Sequence, residues 1–175
     1  MTPLSTVAPR STFSHDARLR LLRAGLLTGV VDGLFSSLLS VFAYGSTVTG
    51  LFQGVASTVL GSEALEGGVW TAIVGLLMHF GVAFGWSAVF LAIVTRSSWV
   101  RSVLTSRHGA IKLASLYGPF IWIVMSLAVI PLLVGRPPAI SGRWWIQLFG
   151  HVPFVGIPIV ASIGSAPARI RASET

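Results

Sequence analysis

The sequence predicts an all-α, polytopic membrane protein: a four-transmembrane-helix bundle with a short interfacial helix between helices 1 and 2. Three observations carry this. Of 175 residues, 53% are hydrophobic and only 10% charged, where a soluble domain carries about a quarter charged residues. The charges are confined: residues 67–95, 113–135 and 144–168 hold no Asp, Glu, Lys or Arg. Together with Leu21–Ala43 these make four runs, each longer than the roughly 20 residues needed to cross a hydrocarbon core. None has the polar face that a helix of a soluble bundle needs.

Residues 1–17 are rich in Ser, Thr and Pro without periodicity and are expected to form a disordered tail, so that helix 1 starts near Ala17. Residues 18–165 make the membrane domain, with spans at about 21–43, 69–95, 111–134 and 144–164, and residues 166–175 make a second tail. Tyr44-Gly-Ser-Thr breaks the first helix. In residues 49–61, Leu51, Phe52, Val55, Val59 and Leu60 recur at helical spacing, with Gln53 and Ser57 off that face. That segment is too short to span, so it is expected to lie in the interface or across the bundle mouth. Ser62 is expected to cap the second transmembrane helix, with Glu63 near its positive dipole end. Gly135-Arg-Pro-Pro reads as a tight turn. Pro119 and Pro131 in the third span, and Pro153 and Pro158 in the fourth, predict kinks of a kind membrane helices tolerate. Trp70, Trp144, Trp145 and Trp99 fall near span ends, where amphipathic rings form belts.

Basic residues report orientation. Arg10, Arg18, Arg20 and Arg23 precede the first span. Arg96, Arg101, Arg107 and Lys112 separate the second from the third, and Arg169 and Arg171 follow the fourth. The other side has only Arg136 and Arg143, so both termini are expected to be cytoplasmic. The net charge of +7 is therefore a topology signal. No nucleic acid is expected as partner, because the bases flank apolar spans and form no continuous face. The first span is longer than a signal-peptide core and no small-x-small site follows it. The four arginines before it follow from orientation and need no mitochondrial transit peptide to explain them. The absence of cysteine excludes disulfides and thiolate metal sites.

Asp32 is the only formally charged side chain between Arg23 and Glu63, and it lies midway along an apolar run. An ionisable group at mid-depth is costly, and so is paired, water-facing or functional. It belongs to a polar ridge of Thr28, Asp32, Ser36 and Ser40. Beside it runs a ridge of Gly25, Gly29, Gly33 and Ser37, an extended Gly-x-x-x-Gly pattern that lets another backbone approach closely. The second span has Thr71, Gly75, His79, Ala83 and Ser87 on one stripe, and Gly81, Gly85, Ala88 and Ala92 on another. The fourth has Gln147 and His151 one turn apart, with Gly150 and Gly156 nearby. At ~1.5 Å rise per residue, Asp32, His79 and His151 fall within roughly 5 Å of one level. Asp32, His79, His151, Thr28, Ser36 and Gln147 are thus candidates for an intramembrane polar or proton site. The plainer alternative is that the hydroxyls bond their own backbone and each histidine is an interhelical hydrogen bonder.

No metal or cofactor is expected, because no His-x-x-x-His or Glu-x-x-His pair anchors one on any helix. His15 and His108 are too far from the other candidates to join them. No Gly-x-Ser-x-Gly turn and no phosphate-cradling loop appears, so nothing marks the chain as an enzyme.

Several stretches resemble an uncharacterised family of small four-helix bacterial integral membrane proteins. They are Gly29-Val-Val-Asp-Gly, Phe52-Gln-Gly-Val-Ala-Ser, Gly75-Leu-Leu-Met-His-Phe, Tyr117-Gly with Ile130-Pro-Leu, and Gly150-His-Val-Pro-Phe-Val-Gly-Ile-Pro. In this order they cover about residues 24–163. The resemblance implies the same architecture and a bacterial inner membrane, and assigns no catalytic residue. The expected role is non-enzymatic, in the envelope or in membrane assembly, with buried polar groups coupling the helices. Its partners are the lipid bilayer and a second copy of the chain or another membrane subunit, since small-residue ridges serve between chains as well as within one. The alternative is a small proton-linked transporter or channel, oligomeric because four helices enclose little room, using Asp32 with His79 and His151. A water-connected cavity reaching Asp32 would favour transport. A dry contact with an imidazole or hydroxyl would favour structure.

Overall fold

Four helical segments are long and apolar enough to cross a membrane: His15–Ala43, Gly68–Arg96, Gly109–Val134 and Gly142–Gly164. The computed structural model describes residues 10–164, with side chains from residue 15 onward. Most of the tails expected at 1–17 and 166–175 therefore lies outside the described residues, among which there is no strand.

Span 1 is α1 (Arg10–Leu38) continued by a π turn (Leu39–Ala43). The chain is already helical at Arg10, the first described residue, ahead of the start expected near Ala17. No glycine or proline interrupts residues 10–24, so nothing there stops the helix from extending. Helix α2 (Val48–Leu60) is capped by Thr47, whose Oγ1 accepts from Gly50 N at 2.9 Å. It packs against the bundle, and the face grouped by spacing is split. Gln53 is buried along with Phe52 and Ala56, while Val59 and Leu60 face outward. In lipid the outward face is the apolar one, and the polar side chain turns inward to find a partner. Gln53 Nε2 finds it in Gly68 O at 3.1 Å. Ser62 opens a short 3-10 turn (Ser62–Leu65) and caps nothing; α3 (Gly68–Arg96) starts after Gly67, with Gly68 at φ +62.

The connection after α3 folds into α4 (Ser98–Thr105), a helix the sequence reading left unassigned. Ser97 Oγ caps it by accepting from Val100 N at 3.2 Å. Arg101 donates to Val94 O and Thr95 O at 2.8 and 3.0 Å, where a cation suits the carbonyl end of α3. Span 3 is α5 (Gly109–Val124), a π turn (Met125–Val129) and α6 (Ile130–Val134). Span 4 is α7 (Gly142–His151), a π turn (Val152–Gly156) and α8 (Ile157–Gly164). The two later π turns accompany Pro131 and Pro153. A proline removes one ladder hydrogen bond and crowds the carbonyl four residues back, and a wider turn relieves both.

The spans alternate in direction. Arg20 Nη1 donates to Ile163 O at 3.3 Å, so the start of span 1 meets the end of span 4. At the other end Arg143 lies over the Tyr44 ring at 4.0 Å. Span 1 packs on spans 2 and 4, span 4 packs on span 3, and α2 packs mainly on α3 while also reaching α6. The main core, around Phe90, Tyr117, Ile159 and Ile163, lies between spans 2, 3 and 4 toward the terminal end. Tyr117 OH closes it by donating to Trp86 O at 2.7 Å. Trp70 and Trp99 stand exposed as belt residues. Trp144 does not: it is only 9% exposed, and its Nε1 donates to Ser126 Oγ at 2.9 Å. An indole N–H at that depth needs an acceptor, and a serine on span 3 supplies it.

Candidate functional site

Glycines on span 1 set the site. A Cβ at Gly25 would overlap the Phe84 ring, and one at Gly29 the Phe80 ring. One at Gly33 would come within 3.3 Å of His79 Nε2. The Gly25, Gly29, Gly33 ridge thus receives rings from α3, where the sequence suggested a close backbone approach. The backbone approaches lie elsewhere. Gly75 abuts the Phe52 carbonyl of α2, Gly118 the His151 carbonyl, and Gly156 the Ala114 carbonyl. The second stripe faces outward within the chain: a Cβ at Gly81 or Gly85 meets nothing within 4 Å, and both positions are exposed.

This notching brings Asp32 and His79 together. His79 Nδ1 lies 4.0 Å from Asp32 Oδ2, and His79 Nε2 lies 2.9 Å from Gly29 O. A carbonyl only accepts, so Nε2 carries the hydrogen and donates. Nδ1 then bears a proton only in the imidazolium. Phe52 and Phe80 approach the imidazole edge-on, with centroids at 6.0 and 5.9 Å.

The other candidates fall around this pair. Thr28 is 2% exposed, and its Oγ1 has no hydrogen-bond partner; Asp32 Oδ1 has none either. Thr28 therefore does not bond its own backbone, as Ser87 does through Ala83 O at 2.8 Å. Ser36 and Ser37 are half-buried and Ser40 is buried. His151 is buried on span 4 and interacts electrostatically with both Asp32 and His79. Its Nδ1 donates to Gln147 O at 2.7 Å. The two histidines bond different carbonyls, Gly29 O and Gln147 O. Among the described residues no group of three acids or histidines could hold a metal ion.

Several residues here were not singled out by spacing. Trp122 lies with its ring 4.9 Å from that of His151. Phe35 stacks on Phe154 at 4.2 Å and fills the notch at Gly150. The available signal was an indole inside a span, away from both belts. Above His151, a cavity of about 390 Å3 is lined in part by Trp122, Gln147, Tyr44 and Arg143. Asp32 is not among its lining residues.

Fold and site together define a polytopic all-α membrane protein with a carboxylate–imidazole contact between its first two spans. Comparison with protein-family models, with curated proteins and with solved structures found no match.

Proposed function

We propose that this is a non-enzymatic protein of the bacterial inner membrane, with both termini cytoplasmic, in which the Asp32–His79 clasp orients and couples the helices for a role in the envelope or in membrane assembly. The observation that carries this is that His79 Nε2 donates to Gly29 O of span 1 while Nδ1 stands 4.0 Å from Asp32 Oδ2, near the acid but outside hydrogen-bond range. A relay needs one nitrogen free to pass a proton onward. Here one is spent on a carbonyl and the other faces the acid. The excess of basic residues on the terminal side supports the orientation. The family resemblance carried by Gly29–Gly33 and Gly150–Pro158 supports the bacterial inner membrane and belongs to the same proposal.

The second reading, a small proton-linked transporter or channel working as an oligomer, is favoured by one observation. Asp32 Oδ1 and Thr28 Oγ1 are buried without partners beside the clasp, and unpaired polar atoms at mid-depth invite water or a proton path. Proton flux into proteoliposomes separates the two. The clasp predicts no flux above lipid background in the parent or in Asp32→Asn, with Asp32→Asn altered in stability alone. Flux in the parent that Asp32→Asn abolishes would overturn the structural reading in favour of transport.

A further inference from the structure

Carbonyl bonds hold the two span histidines in opposite tautomers. His79 Nε2 donates to Gly29 O at 2.9 Å, and His151 Nδ1 donates to Gln147 O at 2.7 Å. A carbonyl only accepts, so the single hydrogen of each neutral ring is already placed. The nitrogens left over, His79 Nδ1 and His151 Nε2, are lone pairs. Both rings lie within electrostatic reach of Asp32, and His79 Nδ1 faces Asp32 Oδ2 at 4.0 Å.

The cluster is rich in acceptors and poor in donors. Asp32 Oδ1 is buried and accepts no hydrogen bond. As a carboxylate, Asp32 would carry an unmet charge at mid-span, turned toward a lone pair. One added proton reverses that. On the carboxyl group it neutralises the acid, and on an imidazole it creates the opposite charge that the acid lacks. Nothing larger has room. Asp32 Oδ1 has next to no accessible surface, and none of Asp32, His79 and His151 lines the cavity above them. Among the described residues no group of three acids or histidines could hold a metal ion.

No other charge reaches the cluster. Helix α2, packed on α3 beside His79, has no ionisable side chain. Helix α5, packed on span 4, has Lys112, exposed near its start, and Tyr117, which donates to Trp86 O. Arg20 and Arg23 lie more than two turns from Asp32 along span 1, and Arg143 more than two turns from His151 along span 4. On α3 the only other ionisable residue is Arg96, at its far end.

We propose that Asp32, His79 and His151 form a proton-binding site between spans 1, 2 and 4, and that the one proton it holds closes the clasp. The proposal rests on the clasp reading and adds the ligand that completes it. Proton flux tests that reading, and titration tests this one.

Stability changes with pH as the difference in protons bound by the unfolded and folded chains. In the unfolded chain the histidines titrate near ~6.5 and the acid near ~3.9. Asp32→Asn removes the bound proton from the folded chain and leaves the unfolded histidines as they were. The stability of the parent relative to Asp32→Asn should therefore fall as pH rises, by about tenfold in the folding constant per unit, until the site releases its proton.

Both measurements use the full chain in detergent with His15 and His108, both exposed, replaced by Gln, so that only the span imidazoles remain. Unfolding by denaturing detergent between about pH 5 and 8 should show that fall against Asp32→Asn. It should not show it against Glu66→Gln, an exposed acid outside the bundle. Curves for the parent and Asp32→Asn that run parallel within twofold, or an equal fall against Glu66→Gln, would overturn the proposal. If Asp32→Asn does not fold, nitrogen-15 spectra of the histidine-labelled parent decide alone. The two rings should appear as one Nε2–H and one Nδ1–H tautomer when neutral, and should titrate in linked steps, because a proton taken by one is denied to the other. Two independent one-proton curves would overturn it.

Discussion

Replacing His79 by Phe should destabilise the bundle far more with Asp32 present than without it. Phenylalanine keeps a ring among Phe52 and Phe80 and removes only the two nitrogen contacts. The first is the 2.9 Å bond to Gly29 O; interhelical hydrogen bonds in membranes average about 0.6 kcal/mol and reach about 1.7. The second is the approach to Asp32 at 4.0 Å. Without it the carboxyl group remains at mid-span with only the His151 interaction, where insertion scales charge roughly 2.5–3.5 kcal/mol for an unpaired acid. That cost is discounted because the Asp32 side chain keeps 15% exposure. The single variant should therefore lose about 2–4 kcal/mol, the two contributions taken together once the second is discounted. In an Asp32→Asn background the stranded acid is gone. The same His79→Phe change should then cost only the hydrogen bond, about 1 kcal/mol.

The double-mutant cycle isolates the difference, a coupling of about 1–3 kcal/mol. Reversible unfolding in mixed micelles, followed by helical circular dichroism as denaturing detergent is added, supplies the four stabilities. Independent sites add within about 0.5 kcal/mol. Additivity at that level would mean that His79 and Asp32 do not support one another, and the clasp would have to be abandoned.

Gly75→Ala places a methyl group on the Phe52 carbonyl and should cost about 1–3 kcal/mol, as overpacking does; thermal unfolding in detergent measures it. Gly85→Leu points into open space and should leave that transition unchanged in the monomer. Trp144→Phe removes the donor to Ser126 and should cost about 1 kcal/mol, whereas Trp145→Phe, at an exposed position, should cost less than half of that in the same measurement. Because the chain lacks cysteine, single introduced thiols report orientation: a membrane-impermeant maleimide should label Ala139→Cys in intact spheroplasts, and Ser106→Cys only after permeabilisation.

Composition and charge made the four spans legible, and Asp32 was legible as an acid in an apolar run. Counting residues from span ends also placed His79 at its level. What spacing could not supply is the direction each face points. In a soluble helix the polar side marks water. In a bilayer both lipid and core are apolar, and that mark is lost. Gly25 and Gly29 share their four-residue spacing with Gly81 and Gly85, yet the first pair receives rings and the second meets nothing. Trp144 and Trp145 are neighbours, and one is buried while the other faces out. In α2 Gln53 goes inside beside Phe52 and Ala56, with Gly68 O there to receive it. Trp122 gained its interest only from geometry, and that the hydroxyl of Thr28 is buried without a partner is something no sequence pattern identifies.

The glycine comb and the clasp should be one device. Phe84 seats against Gly25 and Phe80 against Gly29, and the His79 ring follows beside Gly33. Four residues along either helix is ~6 Å, so the two phenylalanines lock the register of span 2 on span 1. That register delivers Nε2 to Gly29 O and Nδ1 to Asp32. Gly25→Leu lies about two turns from Asp32 and touches neither partner. Its side chain would expel the Phe84 ring and force the helices apart or along each other. The expected result is a loss of the coupling between positions 32 and 79 to within ~0.5 kcal/mol of zero, measured by repeating the double-mutant cycle in that background. Gly85→Leu, one residue from Phe84 but facing away from span 1, serves as the control and should leave the coupling intact. If the coupling survives Gly25→Leu undiminished, the phenylalanines do not set the register, and the acid and imidazole hold each other without their help.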